Sequence, residues 1–216
     1  MCKWFKEGIN LPEPESLKKL MIVQAALNTI LCETEWLRYH SFVQEWDEGV
    51  CMAKINNGAG DHLIMLFSVE GSIIKGFDHE SQLSPYAQDV HKVWPGIYDN
   101  VPNELLSLLE HEGIEKEDVT FCMWRKNNDS SWQKGNVKMP KGADDGSTFL
   151  INAIYRTPEE FVQFAKDYYE LALPVEVVEK VYEGVPITME MIQMLNPDCD
   201  AKEVYRELGS GPSVLP

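Results

Sequence analysis

A chain of 216 residues, 44% of them hydrophobic, can build one sizeable core, or one core with a helical appendage. Its balance is strongly acidic, with 35 Asp and Glu against 19 Lys and Arg and a formal net charge of −16. Such a surface repels phosphate backbones, which argues against nucleic acid as a partner. The longest apolar run, residues 20–32, is broken by Gln24, Asn28 and Thr29 and is too short to span a bilayer.

Five cysteines (Cys2, Cys32, Cys51, Cys122 and Cys199) form no C-x-x-C pair, and their number is odd. A disulfide framework or a Cys-rich zinc site is therefore not expected, and reduced thiols in the cytoplasm are. Glu7, Glu13 and Glu15 precede the apolar run, which does not fit a signal peptide.

In chain order, residues 1–13 read as an arm carrying Trp4 and Phe5. Pro14 suits the first position of a helix running to about Cys32, with Leu17, Leu20, Met21, Ala25, Leu27 and Leu31 as a broad apolar face for packing on a sheet. Residues 39–77 read as an antiparallel meander with strands 39–46, 50–56, 63–69 and 72–77. Asp47-Glu48-Gly49, Gly58-Ala59-Gly60 and Glu70-Gly71 link these strands. Residues 63–67 are apolar on both faces, as in a central strand covered on both sides. Residues 85–102 are turn-rich, and Pro102 starts a helix through Leu105, Leu106, Leu108 and Leu109 that stops near Gly113. A second hairpin pairs 119–126 with 132–139 around Asn127-Asn128-Asp129-Ser130. Asp144-Asp145-Gly146 then leads to Ser147, read as the N-cap of an apolar helix with the aspartates at its positive end; the alternative is a cation-binding loop, though without the spacing of an EF-hand.

The remainder is helical. Thr157-Pro158-Glu159-Glu160 fits a capping box ahead of Phe161, Phe164, Ala165, Tyr168, Leu171 and Ala172 at helical spacing. Pro174 opens a further helix that Gly184 closes, Thr188 starts a Met-rich one, and Asp200 with Glu203 caps a last one that Gly209 stops. The pattern predicts an α+β fold: an antiparallel meander packed by an N-terminal helix in a core domain of residues 1–156, with a helical segment over 157–216.

The richest cluster of ionisable residues falls in two loops. If Glu70-Gly71 is the turn of the hairpin, His62 faces His79 and Asp61 faces Glu80. Directly opposed Cβ atoms lie about 5 Å apart, so two imidazoles there can share a divalent metal with a carboxylate as third ligand. His62 and His79 are the candidate metal ligands. Asp61, Asp78 or Glu80 completes the shell, and Asp78 or Glu80 serves as general base on a bound water. The bland alternative is a structural loop pair in which Asp and His bond loop backbone. A one-residue slip of register places the two histidines on opposite faces. Beyond a divalent metal, no cofactor is predicted.

Asp61, Trp94, Tyr98, Arg125 and Trp132 are the candidate ligand-binding residues. Trp94 and Tyr98 line a pocket or seal a core edge, and Arg125 opposite Trp132 forms a cation–π pair or plain strand packing. Met189, Met191, Met194 and Leu195 form an adaptable apolar surface, for packing or for a dimer or partner contact. P-loop, G-x-G-x-x-G, G-x-S-x-G and H-E-x-x-H signatures do not occur. Two functions follow as expectations. The first is an acidic binding or accessory protein acting through its C-terminal helices; the alternative is a metal-assisted hydrolase at the loop pair.

Gly76-Phe77-Asp78-His79-Glu80-Ser81, Ser84-Pro85-Tyr86 and Trp94-Pro95-Gly96 resemble landmarks of a group of bacterial proteins of unknown function. So do Thr120-Phe121-Cys122-Met123-Trp124-Arg125 with Asp129 and Trp132, and Asp145-Gly146-Ser147. The resemblance spans about residues 36–208. It implies a bacterial, cytoplasmic, single-unit α+β protein and carries over no activity, cofactor or catalytic residue.

Overall fold

The computed structural model describes residues 11–210; of the expected arm, residues 1–10 with Trp4 and Phe5 lie outside them, and residues 11–13 are packed on the body, with Leu11 buried. The fold is α+β. A six-stranded antiparallel sheet, in sequence order, is accompanied by an N-terminal helix and a series of C-terminal helices. The strands are β1 (His40–Asp47), β2 (Val50–Asn56), β3 (His62–Phe67), β4 (Gly71–Phe77), β5 (Phe121–Lys126) and the two-residue β6 (Gln133–Lys134). The helices are α1 (Pro14–Leu31), α2 (Asn103–Leu106), α3 (Ser147–Ile151), α4 (Pro158–Tyr168), α5 (Val175–Tyr182), α6 (Met189–Leu195) and α7 (Ala201–Ser210). No described helix is long and apolar enough to cross a membrane.

The described chain forms two compact units. One holds residues 11–17 and 45–153, the other 18–44 and 154–210, so α1 and β1 each run from one unit into the other. The C-terminal helices thus share a unit with most of α1.

In the first unit, alternation along the strands divides the side chains between two faces. Ile64, Leu66, Ile73, Cys122 and Trp124 share one face with Lys54, His62 and Lys75, as the pairings Ile64↔Lys75, Leu66↔Ile73 and Lys75↔Cys122 require. Ile97, Val101, Leu105, Leu109, Ile114 and Val119 complete that core from the long connection between β4 and β5. On the other face, Gly76 sits opposite Phe121, whose ring occupies the space a Cβ would need.

The β3–β4 register departs from the expected one. Ser68 and Gly71 close the turn through Ser68 N–H to Gly71 O (2.9 Å) and Gly71 N–H to Ser68 O (3.4 Å), so Val69 and Glu70 are the loop. His62 therefore pairs with Phe77, not His79. The cause lies on the neighbouring strand. Gly71 pairs with Lys126, and a Cβ there would meet Arg125 O at 2.4 Å. The glycine serves the close approach of β5, and Ser68 with Glu70 makes the turn, Ser68 Oγ accepting from Glu70 N–H at 3.2 Å.

In the second unit, α1 and the C-terminal helices share a polar lock. Gln24 Nε2 donates to Tyr155 O (2.8 Å), and Asn28 Oδ1 accepts from Tyr169 Oη (2.6 Å) and His40 N–H (3.3 Å). The capping box at Thr157 forms as the spacing predicts, with both the Thr157 and Glu160 side-chain bonds present. Gly184 takes φ +89° where α5 ends.

Candidate functional site

The first unit brings chemistry-bearing residues together at the end of the β3–β4 hairpin. The β2–β3 loop folds on itself because Asn57 Oδ1 accepts from Ala59 N–H (2.8 Å) and Asp61 N–H (3.1 Å), while Gly58 and Gly60 take φ +72° and +111°. This aims the buried Asp61 carboxylate at the next loop. There it accepts from His79 N–H (2.9 Å) and His79 Nδ1 (2.6 Å), while Asn57 Nδ2 of its own loop donates to its other oxygen (2.6 Å). A carboxylate only accepts, so Nδ1 carries the proton and Nε2 is left to other partners.

A third loop joins these two. Thr120 Oγ1 accepts from Asp78 N–H (3.2 Å) and donates to Asp145 O (2.8 Å), and Ser81 Oγ donates to Asp144 O (2.6 Å). Gly146, at φ +75°, lies so close to Asp78 that a Cβ would meet the Asp78 Cβ at 2.4 Å. Gly146 rather than Ser147 is the N-cap of α3. Asp145 accepts from Ser147 N–H (3.0 Å) and Oγ (2.5 Å) and forms an ion pair with Lys134. No local pattern in the sequence links Asp144-Asp145-Gly146-Ser147 to Asp78.

One ligand atom each from Asp61, Asp78 and His79 lies within 4.8 Å of the others, an arrangement of two oxygens and one nitrogen suited to a divalent ion. Burial pushes Asp61 up, but hydrogen bonds from the His79 backbone and side chain and from Asn57, with the His79 charge, outweigh it and hold the carboxyl below its ordinary 3.8. The hydrogen bond and charge of Asp61 push His79 above 6.5, and burial with the Asp61 charge pushes Asp78 up. Glu80, read from the sequence as facing Asp61, is exposed, and its N–H donates to Asp78 Oδ1 (2.9 Å).

His62 leaves this cluster for the adjoining face. Its Nε2 meets Lys75 Nζ at 3.2 Å and its ring lies 5.3 Å from that of Phe77. An ammonium only donates, so Nε2 accepts. Lys75 is fully buried. Burial lowers it to about 8, and burial with the charges of Lys75 and Lys54 lowers His62 to about 4. The sequence marks His62 as a metal ligand rather than as a partner of Lys75, which reads as one charge within an apolar strand.

Beside His62 opens a cleft of about 560 Å³. Lys54, Asn56, Gly58, Gly60, His62 and Ile64 line one side, and Glu112, Gly113 and Glu115 the other. The acidic wall is anchored at several points. Ile114 is buried, the His111 and Trp46 rings lie 4.1 Å apart, Tyr98 Oη donates to Lys116 O (2.6 Å), and Tyr86 Oη donates to Asp118 Oδ2 (3.2 Å). Tyr98 and Trp94 pack against the core beneath.

The second hairpin keeps its expected register through Trp124↔Gln133, which sets Arg125 across from Trp132. Arg125 directs its guanidinium to Asp129 O (3.0 Å) and Glu13 (2.7 Å), and the buried Trp132 donates from Nε1 to Pro12 O (2.8 Å). Met189 and Met194 are exposed on α6, whereas Met191 and Leu195 are buried. Comparison with protein-family models, with curated proteins and with solved structures yields no match for this chain.

Proposed function

We propose that this protein acts by binding a basic partner, with the acidic wall of the first unit's cleft as the contact surface. The observation that carries this reading is the anchored segment 110–118. It holds five acidic residues, and two of them, Glu112 and Glu115, are exposed along a concave surface. A braced wall loses little loop entropy when a cationic side chain enters. The net charge of −16 adds long-range steering of a basic partner.

A deca-arginine peptide is the probe, titrated calorimetrically at two salt concentrations. Glu112→Gln with Glu115→Gln weakens binding by about 10-fold or more, whereas Glu176→Gln with Glu179→Gln, an equal change of charge on the exposed side of α5, weakens it by less than about 2-fold. Equal losses from both pairs would reduce the interaction to non-specific charge and overturn the reading.

A second reading, metal-assisted hydrolysis, is favoured by the Asp61, Asp78 and His79 donors alone. Asp61, bonded to Nδ1, orients the imidazole in the way carboxylates orient metal-binding histidines, which leaves His79 Nε2 and Asp78 as the ligands. Titration with zinc and with manganese tests it. Stoichiometric binding lost in His79→Ala supports the reading, and binding that is absent or unchanged by His79→Ala rejects it.

A further inference from the structure

Trp36 is 85% exposed and the adjoining Leu37 58% exposed, on a single 3-10 turn over Glu35–Leu37 in the second unit. Two large apolar side chains thus adjoin on one exposed turn, a contiguous patch rather than a scattered residue. The turn is braced rather than loose. Leu37 N–H and Arg38 N–H close it on Thr34 O (3.0 Å) and Glu35 O (3.1 Å). The Arg38 side chain, itself only 7% exposed, donates from Nε to Cys32 O (2.8 Å) and from Nη2 to Glu33 O (3.3 Å). Both its Nη atoms grip the Glu207 carboxylate on α7. An indole held out on a pre-formed turn has the properties of an interface anchor: large apolar area, few rotamers to freeze and no folding needed to present it.

The surroundings specify what it binds. Glu33 and Glu35 are exposed on either side of the turn. Together with the net charge of −16 they repel an anionic lipid surface, a nucleic acid and a second copy of this chain. A guanidinium or ammonium is attracted both by the two carboxylates and by the indole face. We infer that Trp36 and Leu37 are the apolar anchor by which this protein docks into a pocket on a basic protein, one whose rim carries Lys or Arg to meet Glu33 and Glu35. This rests on the proposed function only for the sign of the partner's charge; the residues and the unit differ.

The experiment replaces Trp36 with the photo-cross-linker p-benzoylphenylalanine in the full chain, expressed in the source organism. The cross-linked protein is then purified and its affinity measured calorimetrically against variants. The expected result is a net-basic protein whose binding falls by about 30-fold or more with Trp36→Ala and by clearly less with Trp36→Phe, while Trp36→Ala melts like the parent. A cross-link to a second copy, to lipid, to an acidic protein or back into the same chain overturns the inference. So does no cross-link, or a loss under about 3-fold with Trp36→Ala. Glu112→Gln with Glu115→Gln is measured against the same partner. Loss there alone removes the Trp36 anchor and keeps the cleft; loss with Trp36→Ala alone does the reverse.

Discussion

Replacing Asp61 by Asn isolates the charge at the loop junction, because the side chains match in shape. Of the three bonds Asp61 accepts, the one from His79 N–H (2.9 Å) survives on the amide oxygen. The Asn57 Nδ2 bond (2.6 Å) is set against an amide NH₂ and is lost. The imidazole is about half exposed, so water replaces much of its bond and its contribution is small beside the other two. Losing one charge-assisted bond and weakening another at a buried acceptor costs about 2 kcal/mol. For a chain of this size that lowers Tm by about 4–8 °C.

The pH dependence follows from the two shifts. Asp61 titrates below 3.8 in the folded protein, so its contribution is present above 3.8 and fades as pH falls through the lower folded value. His79 titrates above 6.5, so its contribution is full below 6.5 and fades as pH rises through the higher folded value. The gap between parent and Asp61→Asn is therefore widest between 3.8 and 6.5. Melts across pH read that gap, and NMR titration of the His79 Cε1 proton reads the midpoint directly, which falls toward the ordinary value in the variant. A destabilisation under about 0.5 kcal/mol, or a His79 midpoint that does not move, would refute the reasoning.

Lys75→Met replaces a buried ammonium by an apolar side chain of similar length. Stability in urea at neutral pH stays within about 1 kcal/mol of the parent or rises, because the cost of desolvating the charge disappears with the charge. The parent gains stability between about 8 and 10.5 as Lys75 loses its proton; the variant does not. His62, freed of the neighbouring charge, titrates above about 4 in an NMR experiment. Gly76→Ala drives a methyl group into the buried Phe121 ring, at 2.1 Å from Cε1, and costs about 3 kcal/mol in equilibrium unfolding; adding Phe121→Leu recovers part of the loss. Thr157→Ala removes the Oγ1 that accepts from Glu160 N–H (3.3 Å), costing about 1 kcal/mol and speeding hydrogen exchange at the start of α4.

What the sequence determined is local. Apolar alternation bounded by Gly-containing links sets β1 to β4 to within a residue or two at most ends, because strand extent depends on which faces are buried. Thr157 with Glu160, Pro174 with Gly184, and Thr188 mark helix ends, because capping bonds close within a few residues. That Asp61, Asp78 and His79 lie near one another was legible too, since one hairpin carries both loops. The tertiary structure decided the rest. A glycine in a short link reads equally as a turn or as a point of close approach, and only β5 beside Gly71 makes it the latter. That moved the register and sent His62 to Lys75. Gly146 against Asp78, the braced acidic wall facing Lys54, and the burial of Lys75 all join residues far apart in the chain. Their contacts depend on which backbones come within a few ångströms of one another, which no local pattern encodes.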